Sequence, residues 1–411
     1  MKTQTDSRTS PDVPIAVRAQ KRSFMAYPRG VFGLALSCAL LIACTSTAPE
    51  RTPDYPPSMK RAEAATSGPP RFFHAQGTRI VDETGQPVRL RGVAFGNQVY
   101  GKVRLPVTHH DEADYARLQA MGMNLVRFYI YYGTLESDAE PYHYRDDGWA
   151  WLDRNVEWAR RHGVYLIFNM HVPPGGFQSL GQGGALWRDQ ANQKRFIALW
   201  RAIAARYANE PVVAGYDLLN EPNVLKNKRE WQQLAQATAQ AIREVDTHHP
   251  VIVERVNAVA GSWNNDGEMN FVTIDDPNVV YTFHFYEPFR FTHTHAPWAN
   301  MQNVEGGQWN AEGAAKLRLA MAPYLAWGAQ HDVPLYLGEF GLIRTAFQNN
   351  RNGLAWAADM IDLADEADLP WTWHAYHEDY FALYYGDRQP ISGTTPNQGL
   401  IDLFTAKLAP R

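Results

Sequence analysis

Two glutamates follow apolar segments of this chain, and their placement is the first indication of chemistry. Residues 212–219 are mostly apolar and predict a short buried strand, which ends near Glu221 because Pro222 disfavours helical dihedrals in the residue before it. Residues 335–337 lead to Glu339 in the same way. Parallel α/β folds keep their chemistry at the carboxyl ends of their strands, so the two positions predict a carboxylate pair. Taken alone, either glutamate is equally well explained as an acid in a turn.

The rest of the chain alternates between strand and helix patterns. Residues 79–82 and 87–90, joined by a turn that contains Gly85, predict a hairpin. Eight further strands are predicted at residues 90–95, 124–130, 164–170, 213–219, 250–255, 279–285, 333–338 and 369–375. Helical spacing occurs between them, as at Phe196, Leu199, Ile203 and Tyr207. The pattern predicts an α/β fold, a (β/α)8 TIM barrel with the N-terminal β-hairpin closing the bottom of the barrel.

The predicted strand ends carry several polar and aromatic side chains. Because the strand ends of a closed barrel form one ring, these residues are expected to converge on one cleft: Arg127, His171, Asn220, Glu221, His284, Tyr286, Glu339 and Trp373. Cleavage of a glycosidic bond needs a carboxylic acid that protonates the leaving oxygen and a carboxylate that attacks or stabilises the anomeric carbon. The ring therefore points to glycoside hydrolysis. Each member also has a plain alternative, such as a surface cation for Arg127.

Composition excludes several other classes of protein. The chain has 411 residues, a net charge of −4 and two cysteines, Cys38 and Cys44. The first 44 residues hold six basic and two acidic residues, so the remainder is acidic, which argues against a nucleic-acid partner. Because no cysteine follows Cys44, a cysteine nucleophile and a structural zinc site are excluded there. Neither a glycine-rich phosphate loop nor a Gly-x-Ser-x-Gly elbow is present.

Histidines near residues 109 and 293 raise the alternative of a metal-dependent barrel hydrolase. Such enzymes usually place a closely spaced pair of histidines on the first strand, whereas the first predicted strand here ends at residues 94–97 without a histidine. We therefore predict no catalytic metal and no cofactor.

Aromatic residues make up 12% of the chain, more than a core needs, and they suit stacking on sugar rings as well as packing. Trp187, Trp263, Trp298 and Trp309 fall in predicted loops on the side of the cleft. Each either forms a flanking sugar subsite or packs its loop onto the barrel.

The N-terminal segment predicts export and a lipid anchor. Basic residues precede an apolar run at residues 31–43, which is too short to span a membrane. The run closes with Leu-Ile-Ala before Cys44, which resembles the bacterial lipoprotein box and implies lipidation of that cysteine. A plain signal peptide with a chance cysteine is the alternative. We expect the mature protein at the bacterial cell envelope, in the outer membrane or periplasm, held there only by its lipid.

Three regions are predicted along the chain. Residues 1–44 read as the lipoprotein-type signal peptide, with Met25 as an alternative start, and residues 45–70 as a disordered tether without apolar periodicity. Residues 71–411 form the predicted catalytic domain, which we expect to be a monomer.

Several of these segments together resemble glycoside hydrolase family 5, the cellulase family A of the large clan of retaining barrel glycosidases. The most specific segment is Leu218-Leu219-Asn220-Glu221-Pro222, which is similar to the family's acid/base signature. Residues 90–93 and 122–127 are similar to its opening motifs, and residues 284–286 and 338–341 to its late motifs. The likeness extends from about residue 79 to the C-terminus.

The resemblance implies a role for each site residue. Glu221 would be the general acid/base and Glu339 the nucleophile of a retaining double displacement, with carboxyl groups about 5–5.5 Å apart. The implied binding residues are Arg127 and Tyr286 at the nucleophile, Asn220 at the sugar 2-hydroxyl, His171 and His284 along the −1 subsite, and Trp373 or its neighbour Trp371 under a sugar ring.

The resemblance also implies a β-linked polysaccharide or oligosaccharide as the substrate. A β-1,4-glucan comes first, as for an endoglucanase, and a β-mannan second. Other β-glycans and transglycosylation would use the same residues, so they stay open at this point. A non-catalytic carbohydrate-binding barrel is the alternative from another class, and the presence of both glutamates argues against it.

Overall fold

Eight parallel strands close into a barrel, as the sequence predicts. The computed structural model describes residues 70–179, 181–260, 270–298 and 300–409. The barrel strands are β1 (Arg91–Phe95), β2 (Leu125–Tyr131), β3 (Tyr165–Val172), β4 (Val213–Asp217), β5 (Val251–Glu254), β6 (Val279–His284), β7 (Leu335–Phe340) and β8 (Trp371–Trp373). They pair in chain order, and β8 pairs with β1 to close the barrel. Each of the eight predicted barrel strands overlaps an observed one.

Helices alternate with these strands. The longer ones are Glu112–Ala120 after β1, Asp146–Arg161 after β2, Gln190–Tyr207 after β3, Arg229–Arg243 after β4, Ala311–His331 after β6, Gly353–Glu366 after β7 and Gln398–Leu408 after β8. Between β5 and β6, the described residues 255–260 and 270–278 form no helix. Two short helices, Gly184–Arg188 and Phe289–Thr292, lie in the loops after β3 and β6.

Smaller elements extend the loops that follow the barrel strands. Asn223–Val224 pairs with Ala258–Val259, which joins the loops after β4 and β5. A three-stranded sheet of His377–Glu378, Tyr384–Tyr385 and Thr395–Pro396 follows β8. Single 3-10 turns occur at Val99–Gly101, Tyr132–Thr134, Arg344–Phe347 and Ile391–Gly393.

Sequence spacing explains how helices and strands pack. Phe196, Leu199 and Ile203 lie on one face of the helix Gln190–Tyr207 and are fully buried in the main core, as their spacing predicts. β1 and β2 approach so closely at Gly92 that only a glycine fits there, because a β-carbon would lie 1.6 Å from the carbonyl oxygen of Leu125 in β2.

The N-terminal hairpin differs in detail from the predicted one. Strands Phe73–Gln76 and Arg79–Asp82 form it, and Gly77 adopts a φ of 56° in the turn between them. Residues 87–90 contribute one bridge, between Pro87 and Val81, because a proline has no N–H for a regular strand ladder.

The hairpin nevertheless covers the barrel end that the prediction gave it. Phe73 and Ile80 pack with residues near the N-terminal ends of the barrel strands, among them Leu125, Ile167 and Val280. This small core closes the N-terminal end of the barrel and leaves the carboxyl ends of the strands at the other end.

The predicted signal peptide, Cys44 and the tether up to residue 69 lie outside the described residues. None of the helices that the structure describes is both long and apolar enough to cross a membrane.

Candidate active site

Glu339 in β7 is held by donors from two other strands. Arg127 of β2 donates from Nη1 to Glu339 Oε1 at 2.5 Å, and the Tyr129 hydroxyl donates to the same oxygen at 2.6 Å. Tyr286, just after β6, donates to Oε2 at 2.9 Å. Because alternate residues of a strand face the same side, Arg127 and Tyr129 both point into the barrel. The carboxylate is therefore surrounded by donors.

These surroundings keep Glu339 ionised. Burial alone would raise the pKa of Glu339, but the positive charges of His284 and Arg127, among others, hold that pKa well below its usual range. Burial and the charge of Glu339 raise the pKa of the Tyr129 and Tyr286 hydroxyls well above the usual range, so both phenols stay protonated and donate. An ionised carboxylate is the form that a nucleophile needs.

Glu221 lies just after β4 and close to Glu339. One carboxylate oxygen from each glutamate and a ring nitrogen of His284 all lie within 4.8 Å of one another. This separation fits retaining glycosidases, whose carboxyl groups are about 5–5.5 Å apart, rather than inverting ones at about 6.5–9.5 Å. The side chain of Glu221 is 14% exposed and that of Glu339 is 6% exposed. Glu221 is therefore the better placed of the two to meet a leaving group and water.

His284, the last residue of β6, lies between the carboxylates. Its Nδ1 is 3.0 Å from Glu221 Oε1 and 3.4 Å from Glu339 Oε2, and its Nε2 is 3.4 Å from Glu254 Oε1. Burial alone would lower the pKa of His284, but the charges of Glu254 and Glu339 and the hydrogen bond to Glu221 raise it to about 9. Burial raises the pKa of the Glu254 carboxyl to about 8. His284 therefore holds a proton among three acidic side chains.

Asn220 and His171 join the same cluster. Asn220 accepts from Arg127 Nη2 at 3.0 Å and donates to the Ser179 hydroxyl at 3.1 Å. The ring of His171 stacks on Tyr129 with centroids 3.8 Å apart, and burial lowers its pKa well below the usual range. The structure thus brings together seven of the eight residues predicted for the cleft: Arg127, His171, Asn220, Glu221, His284, Tyr286 and Glu339.

Trp373 is the exception, and its assignment to the cleft is corrected here. Its side chain is fully buried and packs against Phe340, Trp356 and Phe404, the last two of which come from the helices Gly353–Glu366 and Gln398–Leu408. Trp371, which shares its face of β8, is also fully buried against Phe404. Both indoles therefore face the outer helices rather than a sugar ring.

The residue after Trp373 takes the inward position instead. His374 Nδ1 lies 3.1 Å from the Tyr129 hydroxyl, and burial lowers the pKa of His374. Strand alternation would have placed Tyr129 beside Arg127, but it does not say which face of β8 points inward, because Trp371 and Trp373 suit either face. Glu254 is a further residue of the site that the sequence pattern did not indicate, because it reads as the ordinary end of an apolar strand.

Glu221, His284 and Glu339 are the described residues whose donor atoms are close enough to share a metal ion. However, Arg127, Tyr129 and Tyr286 already direct hydrogens at the carboxylate of Glu339, where a cation would have to bind. This set of groups suits a carboxylate nucleophile better than a bound cation.

The loop tryptophans divide between the core and the surface. Trp187 and Trp309 are buried, so they pack their loops onto the barrel. Trp298 is partly exposed and contacts Tyr380 edge-on, with ring centroids 4.9 Å apart. Trp263 lies outside the described residues.

A barrel with paired carboxylates at this separation defines a class, the barrel glycosidases. The family Cellulase (glycosyl hydrolase family 5) matches residues 81–379. Endoglucanase C of Acetivibrio thermocellus is 30% identical over 334 residues, which cover 74% of this chain and 94% of that protein. Cellodextrinase A of Ruminococcus flavefaciens is 26% identical over 266 residues, which cover 62% of this chain and 76% of that protein. The chain belongs to glycosyl hydrolase family 5 and is an O-glycosyl hydrolase.

Solved structures share the fold. Endoglucanase Cel5A of Thermotoga maritima matches with a TM-score of 0.64 at 22% identity, over 77% of this chain and 96% of that chain. The cellulose synthase subunit Z of Clostridioides difficile matches with a TM-score of 0.63 at 18% identity, over 77% of this chain and 99% of that chain.

The placement of Trp373 and His374 leads to a first prediction. Trp373→Ala should lower the free energy of unfolding by about 3–5 kcal/mol because it empties a core site, while Trp373→Phe should keep kcat/KM close to that of the wild type. His374→Ala should do the reverse, with a large loss of kcat/KM and a small loss of stability. Urea unfolding and hydrolysis rates measure both. If Trp373→Phe lost as much kcat/KM as His374→Ala, the core assignment would be contradicted.

Proposed function

We propose that this protein hydrolyses β-1,4-glucan by double displacement, with Glu339 as the nucleophile and Glu221 as the acid/base. The observation that carries the proposal is the ionised state of Glu339 together with its short distance from Glu221. Glu339 is ionised among donors, and Glu221 lies within 4.8 Å beside a protonated histidine.

In the first step, a Glu339 carboxylate oxygen attacks the anomeric carbon while the carboxylic acid of Glu221 protonates the departing glycosidic oxygen. The bond between carbon and leaving oxygen breaks as a glycosyl ester with Glu339 forms. Arg127 and Tyr129 bind one oxygen of Glu339 and Tyr286 the other, so they orient the carboxylate for attack. The amide of Asn220 is available to bond the sugar 2-hydroxyl.

In the second step, Glu221 acts as the base. It takes a proton from a water molecule, whose oxygen attacks the anomeric carbon and releases Glu339 with net retention. Because Glu339 carries no negative charge in the ester, the ionised carboxylate of Glu221 has no like charge beside it when it acts as the base.

The substrate assignment is supported by the relatives. An endoglucanase and a cellodextrinase are among them, and a β-xylosidase of Phanerodontia chrysosporium is 24% identical over 382 residues. The direct experiment is hydrolysis of a panel of β-glucans, mannans and xylans, with and without chelator, while product sizes are followed in time. Cleavage of β-1,4-glucan that is insensitive to chelator supports the proposal. Cleavage of a different polymer would contradict the substrate assignment. Cleavage that is lost with chelator would contradict the metal-free mechanism.

The role of Glu339 gives a second prediction. Glu339→Ala should lower kcat by on the order of 10⁴-fold or more, because no other group takes the place of the nucleophile. Azide should partly restore turnover and give a glycosyl azide of inverted configuration, which NMR of the product identifies. Near wild-type activity in this variant would rule out the assignment. Glu136→Ala, which removes a buried glutamate bonded to Arg195 and Tyr142, serves as a control that azide should not affect.

The role of Glu221 gives a third prediction. Glu221→Ala should lower kcat/KM for a phenyl β-cellobioside by about 10²–10⁴-fold, because a poor leaving group needs protonation. A 2,4-dinitrophenyl β-cellobioside needs little protonation and should lose much less. An equal loss on both substrates would count against Glu221 as the acid.

We also propose that the protein is exported and held at the cell envelope by a lipid on Cys44. The support is the order of basic residues, short apolar run and cysteine at the N-terminus. A single acyl chain binds membranes only marginally, so a stable anchor would need more than one chain on the modified cysteine.

The anchor gives a fourth prediction. Cys44→Ser should move the protein from the membrane fraction to the soluble fraction or leave it unprocessed, as seen by fractionation and labelling with a lipid precursor. Cys38→Ser is the matched control and should leave both unchanged. Membrane fractionation that is the same for Cys44→Ser and the wild type would remove the lipid-anchor proposal.

A further inference from the structure

Glu254 is a buried carboxyl group at the centre of the site that the two-step reaction does not use. It is the last residue of β5 and is 1% exposed. Its Oε2 accepts the backbone N–H of Glu221 at 2.8 Å and lies 3.8 Å from Arg127 Nη2. Its Oε1 lies 3.4 Å from His284 Nε2, within ion-pair range. One side chain thus contacts both the main chain of the acid/base and the histidine that bonds the acid/base carboxylate.

The first of these contacts concerns a strained residue. Glu221 has a φ of 47°, a left-handed conformation that residues with a β-carbon disfavour. Such a conformation persists where its surroundings fix it. Here the N–H of Glu221 donates to Glu254, and the carbonyl of Pro222 accepts from the N–H of Asn257 at 2.8 Å. Both partners come from the end of β5 and the loop that follows, so this segment sets where the acid/base side chain points.

The second contact concerns the proton on His284. Its Nε2 faces Glu254 while its Nδ1 faces Glu221 Oε1 at 3.0 Å and Glu339 Oε2 at 3.4 Å. A negative group behind the imidazole favours the doubly protonated ring, which can then donate toward the carboxylates. Glu254 occupies the position of such a group, on the side of the ring away from Glu221 and Glu339.

We propose that Glu254 is a positioning residue that holds the backbone of Glu221 in its left-handed conformation and keeps the proton on His284 that faces both catalytic carboxylates. The inference rests on the proposed function, because it assigns Glu254 a role through Glu221. In this role Glu254 acts through Glu221 and His284 rather than on the substrate itself.

Other charged groups also lie near Glu254 and His284, and they affect the charges of both side chains. The charged and titratable groups that interact with Glu254 or His284 are Arg127, His171, Asp217, Glu221, Glu339 and His374. None of them is changed in the variants below, so differences between those variants report on Glu254.

The test uses the full chain and two substitutions of Glu254. Glu254→Ala removes the acceptor for the Glu221 N–H, whereas Glu254→Gln keeps an amide oxygen there and removes the charge. We expect Glu254→Ala to lower kcat/KM for phenyl β-cellobioside by about 10²-fold and for 2,4-dinitrophenyl β-cellobioside by far less, because protonation of the leaving group is what misplacement impairs. Glu254→Gln should recover most of that selective loss.

A second readout follows the histidine directly. In protein labelled with ¹⁵N-histidine, the ring signal of His284, assigned by its absence in His284→Gln, should titrate at a pH lower by about one unit or more in both Glu254 variants. Glu136→Ala is the matched control, since Glu136 is equally buried and accepts the N–H of Tyr142 at 2.6 Å. It should leave the leaving-group dependence and the His284 titration unchanged.

The outcomes separate this inference from the function itself. A folded Glu254→Ala that loses kcat/KM equally on both substrates, or not at all, overturns the positioning role. An unchanged His284 titration in Glu254→Gln overturns the proton-holding role. If the wild type cleaves neither cellobioside, the proposed function fails, and the NMR titration still decides whether Glu254 controls His284. Thermal unfolding of each variant shows whether it is folded at the assay temperature.

Discussion

The fully buried guanidinium of Arg127 is the constraint on which the active site depends. It donates to Asp217 at 2.7 Å, to Asn220 at 3.0 Å and to Glu339 at 2.5 Å, so it joins β2 to the ends of β4 and β7. A charge in this position is tolerable only because its hydrogens are directed at acceptors, and removing one partner of such a buried pair typically costs about 3–5 kcal/mol. The side chain that orients the proposed nucleophile is therefore also one that ties the barrel strands together.

Around Arg127 the charges do not cancel by simple pairing. Asp217, Glu339 and Glu254 are all buried beside one arginine, and burial raises the pKa of both Asp217 and Glu254. The protonated His284 supplies the second positive charge, and neutral donors such as Tyr129 and Tyr286 supply the rest. The result is a set of unequal acids within one cluster, because the pKa of Glu339 is held well below its usual range while burial raises the pKa values of Asp217 and Glu254.

The sequence was informative where local pattern determines position. Apolar segments that end in a polar residue located the barrel strands and also Glu221 and Glu339, because a strand end is both a local signal and a place in the barrel. It failed where the answer depends on which neighbour packs against a side chain. Trp373 suits either face of β8, and its contacts with the helices that carry Trp356 and Phe404 show that it occupies the outer one. Glu254 looks like an ordinary strand terminus until Glu221 and His284 are seen to converge on it. The functional roles assigned to the seven clustered residues stay predictions.

The N-terminal hairpin has a consequence for how this enzyme could be attached to a surface. Because Phe73 and Ile80 pack against the N-terminal ends of the barrel strands, the chain enters the domain at the end away from Glu221 and Glu339. A fusion partner or a chromatography resin joined to the chain at residue 70 would therefore lie at the end of the barrel opposite the cleft. A long polymer approaching the mouth of the barrel would not have to pass the attachment point, which makes the N-terminus the end to use for immobilising the catalyst on a surface.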